Sequence, residues 1–395
     1  MIPLTAMIST IMLASCSNDN GSATPAPITN QAAMITDKAK LEMIHSLVDL
    51  EGNKGRIYEV DYTVDYKLDE ALNFGIDGVT SLQAFVAQHL FDVKPNEMAG
   101  DITFGAGCSA FACRDTISGD FIMGRNFDFN HFHPVTKQRV MIPLIAVHTA
   151  PAGGKRAVAF ADGLFVGYPC GFYNDGKSDL SMLMALPYLM LDGINEDGLA
   201  VSVLKLDGLP TQQHQPDKKK IFTTVAMRLL LDRAASVKEA IALLKDYNMC
   251  IEDDPDANYH LFVADASGDF AIIEYTNPDT AANPDTMEVL SGDDRYRYVT
   301  NFYASPSMAQ TPHGCIKSLH GKDRYNHLRD VLKAHNYIMT PEQARDLLEL
   351  VSQGPDDDQS STGFTQWSEV FNLTKRELSL SILREWHKSF HFRVK

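Results

Sequence analysis

Apolar positions along the chain fall into two textures. Over 36–100 they recur mostly at helical spacing. Leu41, Ile44, Leu47 and Val48 follow Asp37, whose carboxylate suits an N-cap, and Ser81 opens a second run, LQAFVAQHLF. Between these runs 57–68 (IYEVDYTVDYKL) alternates with period two, the mark of a strand or an extended arm. The stretch closes on AGDITFGAG, directly ahead of Cys108. From 108 onward alternation dominates. DFIMGRNFDF and RVMIPLIAVHTA read as strands, and YHLFVADASGDFAIIEYT as a hairpin turning at Ala266-Ser267-Gly268. TTVAMRLLLDRAA reads as a helix. Ser236-Val237-Lys238-Glu239 and Thr340-Pro341-Glu342-Gln343 are capping boxes that open two more. WSEVFNLTKRELSLSIL and FHFRV return to strands. Hairpins outnumber βαβ units, which predicts an α+β fold of antiparallel sheets covered by helices.

Composition agrees with a folded chain. Of 395 residues, 45% are apolar and 22% charged, with 25 Gly and 18 Pro, unlike disordered, collagenous or coiled-coil sequences. Formal net charge is −16, which opposes a groove tracking a phosphate backbone, so nucleic acid is not an expected partner. No apolar run reaches ~18 residues, so no helix is expected to cross a bilayer.

Residues 1–15 (MIPLTAMISTIMLAS) are apolar like the core of an export signal, without a preceding Lys or Arg, and end in small residues before Cys16. Leu13-Ala14-Ser15-Cys16 resembles a bacterial lipobox. That resemblance implies a lipidated Cys16 and an exported lipoprotein at the outer membrane, periplasm or cell surface, meeting the membrane only through its anchor. Residues 16–35 read as a flexible tether and 36–107 as a helical N-terminal lobe. With Cys16 modified, Cys108, Cys113, Cys170, Cys250 and Cys315 remain, an odd number that leaves at least one thiol unpaired. No CxxC or Cys/His cluster has zinc spacing, and His387 and His391 sit in strand-like sequence. Neither a metal nor another cofactor is expected.

Gly107-Cys108-Ser109-Ala110-Phe111 is followed by Gly124-Arg125-Asn126-Phe127-Asp128-Phe129. Pairing of these stretches would assemble a thiol, a guanidinium and a carboxylate. A guanidinium beside sulfur favours thiolate, and the carboxylate can fix that arginine or accept from an amine. At these residues the chain resembles the N-terminal-nucleophile hydrolases of the linear amide group. That group includes choloylglycine (bile salt) hydrolases, penicillin V acylases and the penicillin acyltransferases. Cys108, Arg125 and Asp128 match the family's cysteine and Arg-Asn-x-Asp run. Gly193-Ile194-Asn195-Glu196-Asp197-Gly198-Leu199 is similar to its Gly-x-Asn-Glu-x-Gly-Leu turn. Val299-Thr300-Asn301 resembles the strand end whose asparagine lines the oxyanion hole, and Asp323-Arg324-Tyr325 the late helix with the second arginine. Ser109 stands where threonine is usual. Lys205 stands where bile salt hydrolases carry Asn or Tyr, with its backbone N–H still able to serve the oxyanion; this bears on substrate choice rather than chemistry.

The resemblance covers about 105–395 and implies an αββα sandwich, with 108–395 as the catalytic domain. The long upstream piece is similar to the layout of acid ceramidase, the N-acylethanolamine amidases and the penicillin acyltransferases, where a helical segment is cut from the catalytic chain. A cut at Gly107–Cys108 answers a shortage of bases. No histidine is placed beside Cys108 by the sequence, and a thiol of pKa about 8.5 is barely ionised at neutral pH, whereas a freed α-amine (pKa about 7.7–8.0) can serve its own side chain. Gly107 suits the strained backbone such an attack requires. The expected reaction is hydrolysis of a small-molecule N-acyl amide, either a lipid amide or a conjugated bile salt. Cys108 is the expected nucleophile, Arg125 and Asp128 orient it, Asn301 donates to the oxyanion and Arg324 supports the network. Bile salt hydrolase or penicillin V acylase proper, an acyltransferase, and a non-catalytic lipid-tethered binding protein are the alternatives. A homo-oligomer is left open.

Overall fold

The computed structural model describes residues 30–93, 106–133, 136, 138–251, 257–279, 281–309, 311, 319–354 and 363–395, and all counts below refer to these. The leader, Cys16 and Cys315 lie outside them.

In chain order the strands are β1 (Val48–Asp49), β2 (Ile57–Tyr62), β3 (Ala106–Arg114), β4 (Phe121–Phe129), β5 (Leu144–Thr149), β6 (Ala157–Asp162), β7 (Met190–Asn195), β8 (Ala200–Asp207), β9 (Lys219–Phe222), β10 (Tyr247–Cys250), β11 (Ala257–Ala264), β12 (Phe270–Thr276), β13 (Thr286–Ser291), β14 (Tyr298–Val299), β15 (Phe364–Asn372), β16 (Glu377–Ile382) and β17 (Phe390–Arg393). The α-helices are α1 (Lys38–His45), α2 (Leu68–Phe74), α3 (Val79–Phe85), α4 (Thr223–Arg233), α5 (Val237–Leu244), α6 (Leu319–Ala334) and α7 (Pro341–Leu350). A nine-stranded sheet runs β1-β2-β5-β6-β7-β8-β11-β12-β13 and a six-stranded sheet β14-β3-β4-β15-β16-β17, with β9 and β10 as a separate pair. The large sheet is antiparallel except where β2 joins β5, and the smaller sheet is antiparallel throughout.

The two sheets pack face to face: Arg125 and Trp367 of the smaller sheet reach Asp192 of the larger one. Helix α4 lies on β7 and β8, while α6 and α7 cover β3, β4 and β15. The αββα sandwich expected from the resemblance is therefore the architecture found. β4 is buried on both sides, and its side chains alternate between the two faces with the two-residue period. Arg125, Phe127 and Phe129 face the large sheet, whereas Ile122 joins the Leu328, Leu332 and Leu348 core under the helices.

Local signals account for most element ends. Asp37 accepts from Lys40 N at 3.0 Å and starts α1. The helix stops before Leu47 and Val48 because Ser46 Oγ turns back to Met43 O at 2.7 Å, and Val48 opens β1 instead. Helix α3 begins two residues ahead of Ser81, whose Oγ accepts from Gly78 N at 3.1 Å and so caps it from inside. Thr340 and Gln343 form the reciprocal capping box of α7. At α5 Ser236 caps Glu239 N, but the Glu239 carboxylate takes Ala235 N rather than the Ser236 amide.

The upstream segment departs from the picture of a separate helical lobe. Its helices form, yet β2 enters the large sheet, pairing Ile57↔Leu144 through Tyr62↔Thr149 with Ile57, Tyr58, Val60 and Tyr62 buried. The tether also ends early. Asn30 Nδ2 donates to Phe172 O and Ser178 O at 2.9 and 2.8 Å, and Met34 N to Ser181 Oγ at 2.9 Å, fixing 30–35 against the body.

Candidate active site

Cys108 sits in β3 and faces the layer between the sheets, 1% exposed. Its cross-strand partner is Phe127, so Arg125, two residues along β4, is its diagonal neighbour on the same face. Asp128 pairs with Gly107 and belongs to the opposite face, toward α6 and the segment after α7. Spacing of three along a strand makes this unavoidable. Arg125 and Asp128 therefore attend different sides of the cysteine.

Strand β14 brings the third partner. It pairs Tyr298↔Phe111 and Val299↔Ala110, and two further antiparallel steps set Asn301 beside Cys108. Cys108 N donates to Asn301 Oδ1 at 2.6 Å. Arg324, presented by α6, donates through Nη2 to the same oxygen at 2.7 Å and through Nη1 to Cys108 O at 2.6 Å. The same guanidinium stands 3.5 Å from Asp128 Oδ2. Because Arg324 has only donors, the Asn301 oxygen must face it, and Asn301 Nδ2 is turned to Lys205 O at 2.8 Å. The amide retains a second N–H for an oxyanion. Lys205 thus joins the cluster through its carbonyl, and lines the cavity wall.

Sequence reasoning placed Cys108, Arg125, Asp128, Asn301 and Arg324 in one site, and the structure brings all five together. It missed their supports. Thr365 Oγ1 and Gln353 Nε2 donate to the two Asp128 oxygens at 2.5 and 2.7 Å. Arg125 donates through Nη2 to Val203 O at 3.0 Å and lies 3.3 Å from Asp192 Oδ2, with Trp367 Nε1 donating to that carboxylate at 3.1 Å. Glu369 is buried beside them. An ionisable residue with apolar neighbours two positions away on both sides, Met190 and Ile194 around Asp192, Trp367 and Phe371 around Glu369, was the available signal.

Burial sets the electrostatics. It pushes the Cys108 thiol upward, with the Asp128 charge adding to this and Arg125 and the Asp128 backbone offsetting it only in part, so the net direction is opposite to the one a neighbouring guanidinium alone would give. Burial likewise raises Asp128 against the pull of Arg324, Thr365 and Gln353. Arg324 is lowered by burial; Arg125 is raised, its burial cost outweighed by Cys108, Asp192 and Glu369. Gly107 lies in regular pairing with Asp128, an extended backbone.

The thiol opens on a cavity of about 10 Å³ lined by Phe127, Phe129, Phe165, Leu191, Val203, Lys205 and Tyr259. That is room for about one water molecule. Of the apolar run 182–191 only Leu191 reaches this wall; the rest packs in the core. Cys113 and Cys250 are buried, and among the described residues no disulfide forms.

The family model for linear amide C–N hydrolases, choloylglycine hydrolase family, matches residues 108–313. The chain is 33% identical over 127 residues to the penicillin V acylase of Pectobacterium atrosepticum, across 30% of this chain and 31% of that protein. It therefore spans about a third of that curated relative. Among solved structures, a mutant conjugated bile acid hydrolase from Clostridium perfringens is 14% identical, with TM-score 0.47 over 72% of this chain and 92% of that one. A penicillin V acylase from Agrobacterium tumefaciens is 17% identical, with TM-score 0.44 over 70% and 83%.

Proposed function

The chain belongs to the linear amide C–N hydrolases of the choloylglycine hydrolase family, and on that premise we propose that it is a cysteine amidohydrolase that activates itself by cutting Gly107–Cys108. The observation that carries this reading is the grip on the main chain of Cys108: Asn301 takes its N–H and Arg324 its carbonyl. A site built for an ordinary thiol nucleophile has reason to hold the sulfur and a histidine. This one holds the sulfur through Arg125 and the Asp128 backbone, and holds as well the nitrogen that would become an amine. The buried histidines 131, 148 and 260 are engaged with Asp162, Glu59 and Glu274 instead.

In self-cleavage Sγ attacks the Gly107 carbonyl carbon, its proton passes to Cys108 N, and the C–N bond breaks to a thioester. Water hydrolyses this to a Gly107 carboxylate and a free thiol. In turnover Sγ attacks the substrate amide, and the α-amine takes the thiol proton and returns it to the leaving nitrogen. A second water releases the acid. Asn301 keeps the amine aimed and offers its remaining N–H to the oxyanion, together with the Lys205 backbone. Removing one such donor typically costs ~10²–10³ in rate. The substrates we propose are N-acyl amides, lipid amides or conjugated bile salts: the wall is mostly aromatic and aliphatic, and the water-sized cavity has to widen to admit an acyl group. We further propose export as a lipoprotein anchored at Cys16. Cys16→Ala should move the protein from the membrane to the soluble fraction.

Intact mass and activity test the core of this. The parent chain should yield two fragments, the heavier beginning at Cys108, and release amine from one member of a panel of N-acyl amides, glyco- and tauro-conjugated bile salts and penicillin V. Cys108→Ala should remain one inactive chain. Asn301→Ala should fold and turn over ~10²–10³ more slowly. An uncut chain with full activity overturns the proposal.

A further inference from the structure

Behind the oxyanion loop lies a second buried polar pair. His260 on β11 and Glu274 on β12 are both fully buried, and the register Leu261↔Ile273 makes them the next cross-strand neighbours in that hairpin. His260 Nδ1 is 3.0 Å from Glu274 Oε1, and Nε2 is 2.9 Å from the Thr300 carbonyl oxygen. The Glu274 oxygens also accept from Ala304 N and Ser305 N at 2.8 and 3.0 Å. The Thr300 carbonyl can only accept, so Nε2 donates to it, while Nδ1 and the Glu274 carboxyl share the second hydrogen bond. Thr300 Oγ1 donates to Gly321 O at 2.9 Å, which ties the same loop to α6 three residues before Arg324.

We propose that His260 and Glu274 form a positioning pair for Asn301: the imidazole holds the Thr300 carbonyl just before it, the Glu274 carboxyl holds the amides three and four residues after it, and the loop so fixed at both ends aims the Asn301 side chain at the Cys108 nitrogen. This rests on the reading that Asn301 serves Cys108. Neither residue touches the thiol, so both act through Asn301. A buried hydrogen-bonded clamp is suited to this because a rotation of the loop by even one hydrogen bond would leave a desolvated partner unsatisfied.

His260→Phe keeps the ring's bulk and removes both of its hydrogen bonds. In full-length protein, with rates expressed per titrated Cys108 thiol, it should slow precursor cutting and lower kcat roughly tenfold or more with KM within about twofold, as misplacement without lost binding does. Glu274→Gln should show the same split. His260→Gln, whose amide N–H can still reach Thr300 O, should recover most of the loss. Combined with Asn301→Ala, His260→Phe should cost nothing further. If His260→Phe and Glu274→Gln both leave kcat unchanged while Asn301→Ala is slow, this inference fails alone. If His260→Phe costs the same factor in both backgrounds, its role is general support and the inference also fails. Normal turnover by Asn301→Ala would instead sink the reading of Asn301, and this inference with it.

Discussion

Glu369 and Asp192 face a single guanidinium, that of Arg125, in a layer sealed from water. Burial and the neighbouring Asp192 charge hold the Glu369 carboxyl well above its ordinary value, and Arg125 offsets only part of this. A folded-state pKa above the unfolded one means that the native protein keeps a proton which the unfolded chain releases. The contribution is then most favourable below the unfolded value, about pH 4.3, and fades as pH climbs toward the folded value. Glu369→Gln removes that slope. The Tm of the variant minus that of the parent should therefore rise between about pH 5 and pH 8; a difference flat in pH would show Glu369 to be ionised. At this scale the nucleophile and its two arginines were legible as motif residues. The supports of Asp128 were not, because Gln353 and Thr365 lie 225 and 237 residues away and carry no local mark. His260 and Glu274 were within reach: counting outward from the Ala266-Ser267-Gly268 turn sets one opposite the other.

At the scale of elements, the paired strands β3 and β4 are the frame of the site, and their spacing depends on one glycine. Gly124 pairs with Phe111, and a Cβ there would lie 2.3 Å from the Phe111 ring. Gly124→Ala should destabilise the fold by about 1–3 kcal/mol in denaturant titration, as overpacking does, and should slow turnover by shifting β3. Unchanged stability would mean that the ring has room to move. Alternation predicted both strands but also misled: it was applied to which residues are buried and not to which face each takes. Arg125 and Asp128 were read as one pair, whereas the period of two assigns them to opposite faces. The turn before β8 was read correctly, and the structure shows its cause. Asn195 Oδ1 accepts from Asp197 N and Leu199 N at 3.1 Å, and Gly198 takes φ +85° against Leu373 O, where a Cβ would stand at 2.2 Å.

For the whole molecule, the upstream segment is an integral layer. Beyond the β2 pairing, Arg56 bridges Glu385 at 2.6 Å, Lys388 reaches Glu51 at 2.5 Å and Tyr66 Oη donates to Asp232 at 2.6 Å. After the proposed cut the two fragments should elute together from gel filtration and part only in denaturant. A heavy fragment that elutes alone and remains active would contradict this. Sequence by itself marked β2, β4, β5, β11, β12 and β15 to β17, the N-caps of α1, α5 and α7, and the grouping of Cys108 with Arg125, Asp128, Asn301 and Arg324, since these follow from side-chain period, cap chemistry and motif resemblance. Only the tertiary structure decided that β2 joins the large sheet, that burial pushes the Cys108 thiol upward, and that the loop carrying Asn301 bonds to His260 and Glu274. Those outcomes depend on strand register and on which groups lose water together, quantities that exist only once distant segments have packed.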